Sequence, residues 1–193
     1  ATKMENTNNN ALGLNWTFGL NKDTLNGVHN LSDESRNALF FVSAHSGVIY
    51  DYGTRTQNLL QGHCNPITTS CVSADKRWIA TADAGVDSMI VVWDSLSTTP
   101  IKTIFDPHPN GVQAMAITPD AMFLATLSCP GEDGKQEIAL WEWTVERTGA
   151  LYIAEVGSTD IQTSIQFNPS DVREVVTNGP GRVMFWSWES KEW

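Results

Sequence analysis

The sequence has no run approaching the roughly 18 apolar residues that cross a bilayer, and its start lacks the basic and apolar blocks of a secretory signal; both absences predict a cytosolic setting without a membrane span. Basic residues are scarce. The 12 Lys and Arg stand against 22 Asp and Glu, a formal net charge of -10 with a sequence pI of about 4.7. Phosphate backbones and anionic lipid surfaces repel such a chain, and no basic cluster offsets the charge, so neither nucleic acid nor membrane is expected as a partner. Cysteine is sparse as well. Cys64, Cys71 and Cys129 are odd in number and match no CxxC or Cys/His metal spacing, so they are expected to be reduced and mostly buried. His29 and His45 have no ligand spacing to each other or to a cysteine and receive no role. The loop Pro130-Gly131-Glu132-Asp133-Gly134 clusters carboxylates but lacks the alternating ligand spacing of a calcium loop, and reads as a solvated hairpin tip. No cofactor and no metal are expected.

What is present is a globular composition, 41% hydrophobic and 18% charged. Residues 1–13 carry Asn6, Asn8, Asn9 and Asn10 with few apolar side chains, which predicts a tail. After Leu14, short β-branched and aromatic runs alternate with turn residues, and no stretch keeps a helical period beyond two turns. The predicted fold class is therefore all-β. Four passes of one pattern align, ending in Val48-Ile49-Tyr50-Asp51, Val91-Val92-Trp93-Asp94, Ala139-Leu140-Trp141-Glu142 and Met184-Phe185-Trp186-Ser187, with aromatic steps of 43, 48 and 45 residues. A period of that length predicts propeller blades or solenoid units.

Upstream in the last three passes sits a strand and a turn: Cys71-Val72-Ser73-Ala74-Asp75, Ala116-Ile117-Thr118-Pro119-Asp120 and Gln166-Phe167-Asn168-Pro169-Ser170. A second strand follows each turn, and the gradient from Ala80 and Ala125 to Trp93 and Trp141 fits sheets that are narrow near an axis and wide outside. Trp141 with Trp143, and Trp186 with Trp188, are two apart and are assigned to packing between blades, with a partner-binding patch as the alternative.

Gly62-His63 followed by Trp93-Asp94 resembles the WD-repeat family, whose signature has both halves. The resemblance implies a β-propeller, here about four blades of an incomplete ring with four antiparallel strands each, at about 14–60, 61–105, 106–155 and 156–193. It also implies a hydrogen-bonded set inside a blade: His63, Thr81, Asp87 and Trp93, with Ala84-Gly85-Val86 lengthening the turn before Asp87. The third pass keeps His108, Thr126 and Trp141, with Pro107 before the histidine and Glu142 in place of the aspartate; the fourth keeps Thr177 and Trp186. His63, Thr81 and Asp87 are also the residue types of a nucleophilic triad. No nucleophile elbow surrounds Thr81 and the structural set accounts for each member, so no catalytic residue is assigned and the chain is not expected to be an enzyme.

The first pass is narrower in kind. Leu14-Asn15-Trp16-Thr17-Phe18-Gly19-Leu20-Asn21, Phe40 to Ala44 and Leu60-Gln61-Gly62-His63 resemble the start of echinoderm microtubule-associated-protein-like propellers. The run from Ile79 to Asp94 resembles the ciliary WD-repeat branch of the calmodulin- and spoke-associated complex. That resemblance implies a scaffold in the cytoskeleton of the cilium or flagellum, at the radial spoke base, meeting spoke-base and calmodulin-associated subunits directly and the doublet microtubule indirectly. Because tubulin is acidic, the charge of this chain favours protein neighbours over tubulin tails. A propeller that binds tubulin directly is the alternative, and a propeller-based enzyme, which would need a carboxylate or metal cluster facing the channel, comes third. Four blades leave open strand edges, so the chain is expected to be part of a longer protein.

Overall fold

The computed structural model describes residues 13–157 and 159–188; the Asn-rich tail, Gly13 apart, lies outside them. These residues form four antiparallel sheets and no helix. Each sheet is a meander whose spatial order follows the chain. Sheet 1 holds β1 (Val28–Asn30), β2 (Ala38–Ser43), β3 (Ser46–Asp51) and β4 (Thr56–Gln61). Sheet 2 holds β5 (Ile67–Val72), β6 (Trp78–Asp83), β7 (Met89–Asp94) and β8 (Pro100–Phe105). Sheet 3 holds β9 (Val112–Ile117), β10 (Phe123–Ser128), β11 (Glu137–Glu142) and β12 (Tyr152–Glu155). Sheet 4 has β13 (Ser164–Phe167), β14 (Glu174–Asn178) and β15 (Val183–Ser187), three strands among the described residues where four were expected.

The turns between first and second strands are set by a short side-chain code. In sheet 2 the Ser73 hydroxyl donates to Asp75 and accepts the Trp78 N–H at 2.9 Å, while Asp75 accepts the Arg77 N–H at 3.1 Å. Sheet 3 repeats this with Thr118, Asp120, Met122 and Phe123. Lys76 and Ala121 occupy the same left-handed position, with φ of 61° and 58°. Turn groups that would otherwise compete with the ladder are thereby satisfied locally.

Sheets stack face to face, and each interface has its own core. Phe40, Val42, Ile49 and Leu60 of sheet 1 meet Ile79, Val91 and Trp93 of sheet 2. The opposite face of sheet 2, with Ala80, Ala82, Ile90 and Val92, meets Leu124, Ala139, Trp141 and Trp143 of sheet 3. Sheet 3 in turn packs Leu127, Ile138 and Leu140 on Ile165, Val175 and Trp188 around sheet 4. A strand covered on both faces cannot alternate apolar with polar, which is why β7 reads Met89-Ile90-Val91-Val92-Trp93 and is buried throughout. One residue from each first strand, Val28, Ser70, Met115 and Ile165, contributes to one shared cavity of about 380 Å³. Ala80 and Ala125 are thus on second strands and the tryptophans on third strands, with β1, β5, β9 and β13 inside both.

Polar ties cross the interfaces. Arg36, between β1 and β2, donates to the carbonyls of Leu31, Lys76 and Ser95 and to the Ser95 hydroxyl at 2.9–3.0 Å. Thr68 donates to the Val112 carbonyl at 2.5 Å. Two glutamines act as strand substitutes, each presenting its amide N–H and C=O to one backbone: Gln57 to both polar groups of Thr17, and Gln136 to both of Gln162. The first holds residues around Trp16 over sheet 1, where Trp16 meets the Tyr50 ring edge-on with centroids 6.1 Å apart.

Candidate functional site

The residue types that carry chemistry converge inside sheet 2. Thr81 on β6 pairs across the ladder with Val91, and Trp93 two residues further along β7 shares that face. The Thr81 hydroxyl accepts the Trp93 indole N–H at 2.9 Å and lies 2.8 Å from His63 Nε2. His63 comes from the loop before β5, and its Nδ1 stands 2.9 Å from Asp83 Oδ2. Asp83 Oδ1 accepts the Met89 backbone N–H at 2.7 Å. With the imidazole proton on Nδ1, every donor finds an acceptor: indole to hydroxyl, hydroxyl to Nε2, Nδ1–H to carboxylate.

This relay corrects the expected set at one position. Asp87 does not join it; Asp87 sits exposed in the β6–β7 turn with φ of 55°. The carboxylate is Asp83, two residues after Thr81. Strand alternation puts residues 81 and 83 on one face, whereas the insertion of Ala84, Gly85 and Val86 carries Asp87 past the end of the ladder. That parity was available in the sequence and points to Asp83.

Sheet 3 repeats the relay with one substitution. Trp141 Nε1 donates to the Thr126 hydroxyl at 2.9 Å, and His108 Nε2 lies 2.8 Å from the same oxygen. The place of Asp83 is taken by Ser128, whose hydroxyl accepts the Glu137 N–H at 2.8 Å. His108 Nδ1 instead faces the Glu137 carboxylate at 3.4 Å. Burial lowers the pKa of His108, and Glu137 opposes that shift. In sheet 4, Trp186 Nε1 donates to Thr177 at 3.0 Å. Sheet 1 has no equivalent: Phe41 stands at the threonine position, paired with Val48, and Tyr50 stands at the tryptophan position.

The order carboxylate, imidazole, hydroxyl is that of a nucleophilic triad, but its chemistry is closed off. Thr81, Asp83, Trp93 and His63 are all buried, and the Thr81 oxygen already accepts an indole proton where a substrate carbonyl would have to approach. Among the described residues, no group of three or more His, Cys, Asp or Glu is arranged to hold a metal. Cys71 is buried and its thiol is pushed up to about 12 by desolvation, whereas Cys64 is exposed and Cys129 half-buried. The expectation that most thiols are buried therefore fails; Cys64 follows His63 in a surface loop, where nothing packs over it. Trp141, Trp143 and Trp188 are buried between sheets, and Trp143 meets Trp78 edge-on at 5.3 Å between centroids. Glu132 and Asp133 occupy the exposed β10–β11 turn, and His29 approaches the Ser70 hydroxyl at 3.0 Å beside the shared cavity.

Besides Asp83 and Glu137, the residues missed by sequence reasoning are Arg36, Gln57 and Gln136. Each acts across two sheets or on a distant loop, and a repeat alignment carries no signal for such a tie.

Residues 12–193 match the model of the CFAP251 N-terminal domain. The chain is 45% identical over 187 residues to cilia- and flagella-associated protein 251 of Tetrahymena thermophila, covering 95% of this chain and 19% of that protein. It is 37% identical over 180 residues to the Pongo abelii protein of the same name, covering 92% and 15%. Echinoderm microtubule-associated protein-like 4 of Xenopus laevis is 29% identical over 188 residues, covering 92% and 19%. The chain thus spans between 15% and 19% of the length of these relatives. A family model spanning all of the described residues, with relatives well above chance identity, identifies the chain as a member of the CFAP251 N-terminal domain family.

Proposed function

We propose that this chain is a non-catalytic protein-interaction scaffold of the ciliary or flagellar axoneme, its four sheets serving as the first blades of a WD-repeat propeller. The observation that carries this reading is where the reactive residue types go: two histidines, two threonines and a carboxylate are consumed in hydrogen bonds that tie loops to stacked sheets. What remains for partners is loop surface on a rigid frame. The ciliary setting rests on relatives named as cilia- and flagella-associated proteins at 37–45% identity. In this reading the protein works at the radial spoke base, joining spoke-base and calmodulin-associated subunits and reaching the doublet microtubule through them.

A second reading, direct attachment to tubulin, draws on the 29% identity to echinoderm microtubule-associated protein-like 4. The net charge of -10 opposes it, because like-charged surfaces slow and weaken encounter. Imaging the tagged full-length protein in a ciliated cell tests the first reading. Signal along the cilium is expected; signal spread through cytosol or nucleus with none in cilia overturns it. Co-sedimentation of the chain with purified microtubules at low salt separates the two: a pellet would favour direct attachment.

A further inference from the structure

Between sheets 2 and 3, at the end of the molecule that holds the relay histidines, an open groove of about 560 Å³ runs over Val86, Pro107, Pro109 and Ile153. Val86 is 82% exposed and Ile153 57%. Three carboxylates, Asp87, Asp106 and Glu137, line the same groove, and no Lys or Arg does. The combination is apolar floor with unmatched negative charge.

The carboxylates are placed by the fold. Asp87 and Asp106 both occupy left-handed backbone positions, with φ of 55° and 47°, and the Asp106 N–H is anchored on the Ser88 carbonyl at 2.9 Å. Glu137 starts β11 and is steadied by His108 at 3.4 Å. At the opposite end of the sheets Asp94 binds Arg77 and Asp171 binds Arg173, while Asp33, Asp75 and Asp120 cap turns. Among the described residues, Asp87 and Asp106 have no basic partner. Charge left unpaired beside apolar surface is satisfied by a partner that brings both the cation and the hydrocarbon.

We infer that this groove seats a basic amphipathic segment of a partner protein, with Lys or Arg facing Asp87, Asp106 and Glu137 and an apolar side chain set between Val86 and Ile153. The inference deepens the scaffold reading by giving the chemistry of one partner, and rests on it.

The test uses the 193-residue chain and a fluorescent peptide alternating lysine with leucine, measured by anisotropy beside a peptide alternating glutamate with leucine. The lysine peptide is expected to bind and the glutamate peptide not to. The triple variant Asp87→Asn, Asp106→Asn, Glu137→Gln keeps shape and backbone preference, since Asn tolerates both left-handed positions; it is expected to weaken the lysine peptide by about tenfold or more. A control triple variant, Glu34→Gln, Glu142→Gln, Glu146→Gln, makes the same change in net charge at the other end and is expected to leave binding within about twofold. Equal binding by parent and groove variant overturns the inference, as does an equal loss in the control. Both measurements are made in solution, so a groove that fails while the tagged protein reaches the cilium sinks this inference alone, and absence from the cilium sinks the scaffold reading alone.

Discussion

Replacing Thr81 with valine removes one hydroxyl and almost no volume, so its cost reports on the relay and not on a cavity. Two groups lose their partner at once: the Trp93 indole N–H, 2.9 Å from that oxygen, and His63 Nε2, 2.8 Å from it. Both side chains are buried. A buried polar group left unpaired costs about 1–3 kcal/mol, so Thr81→Val is expected to destabilise the chain by about 2–5 kcal/mol, a large share of the roughly 5–15 kcal/mol of a typical domain. Thr177→Val in sheet 4 is the internal comparison. There one indole loses one partner, Trp186 is only half-buried, and no histidine is involved, so water can take part of the load and the loss should stay below about 1.5 kcal/mol. Urea unfolding followed by tryptophan fluorescence and by circular dichroism measures both. Thr81→Val as stable as the parent, or Thr177→Val as damaging as Thr81→Val, would refute the idea that the relay holds its sheet together.

The carboxylate assignment separates two aspartates four residues apart: Asp83→Asn should cost about 2–4 kcal/mol, because an amide cannot accept from both His63 and Met89, while Asp87→Asn should stay within about 0.5 kcal/mol in the same urea assay. Arg36→Lys should lose about 1–3 kcal/mol, since a single ammonium cannot span the carbonyls of Leu31, Lys76 and Ser95. Burial lowers the pKa of both His29 and His108. The unfolded chain therefore takes up protons first, so stability present above about pH 6.5 is lost as the pH falls below it; a flatter profile for His108→Gln, read from urea midpoints across that range, is the expected signature. Brief treatment with iodoacetamide should label Cys64 and spare Cys71, whose thiol is buried and pushed up to about 12, and peptide mass mapping distinguishes them.

The all-β class and the placement of Thr81, Trp93, Thr126 and Trp141 on facing strands were legible because a strand's parity and a repeat's period are local properties, and both are written in residue type. Asp83 was equally legible and was passed over for Asp87, although Ala84-Gly85-Val86 lengthens the turn before Asp87; face parity alone reveals which carboxylate points inward. Glu137 was not legible: it serves His108 only because Ser128 vacates the aspartate's place, and nothing in the sequence directs attention nine residues on. The ties made by Arg36, Gln57 and Gln136 belong to the stacking of one sheet on the next. They depend on the angle between neighbouring sheets, and no one-dimensional pattern encodes that angle.

The separateness of the three cores bears on how this molecule ages in evolution. Cohesion passes only between adjacent layers, so damage to one layer's interior chemistry does not travel. Sheet 1 holds no relay, with Phe41 and Tyr50 at the corresponding positions, yet Phe40, Val42 and Ile49 still pack on sheet 2. Each layer is thus free to drift in everything but the grease on its two broad sides, and the loops at its rim can be rewritten for new neighbours without unsettling the stack.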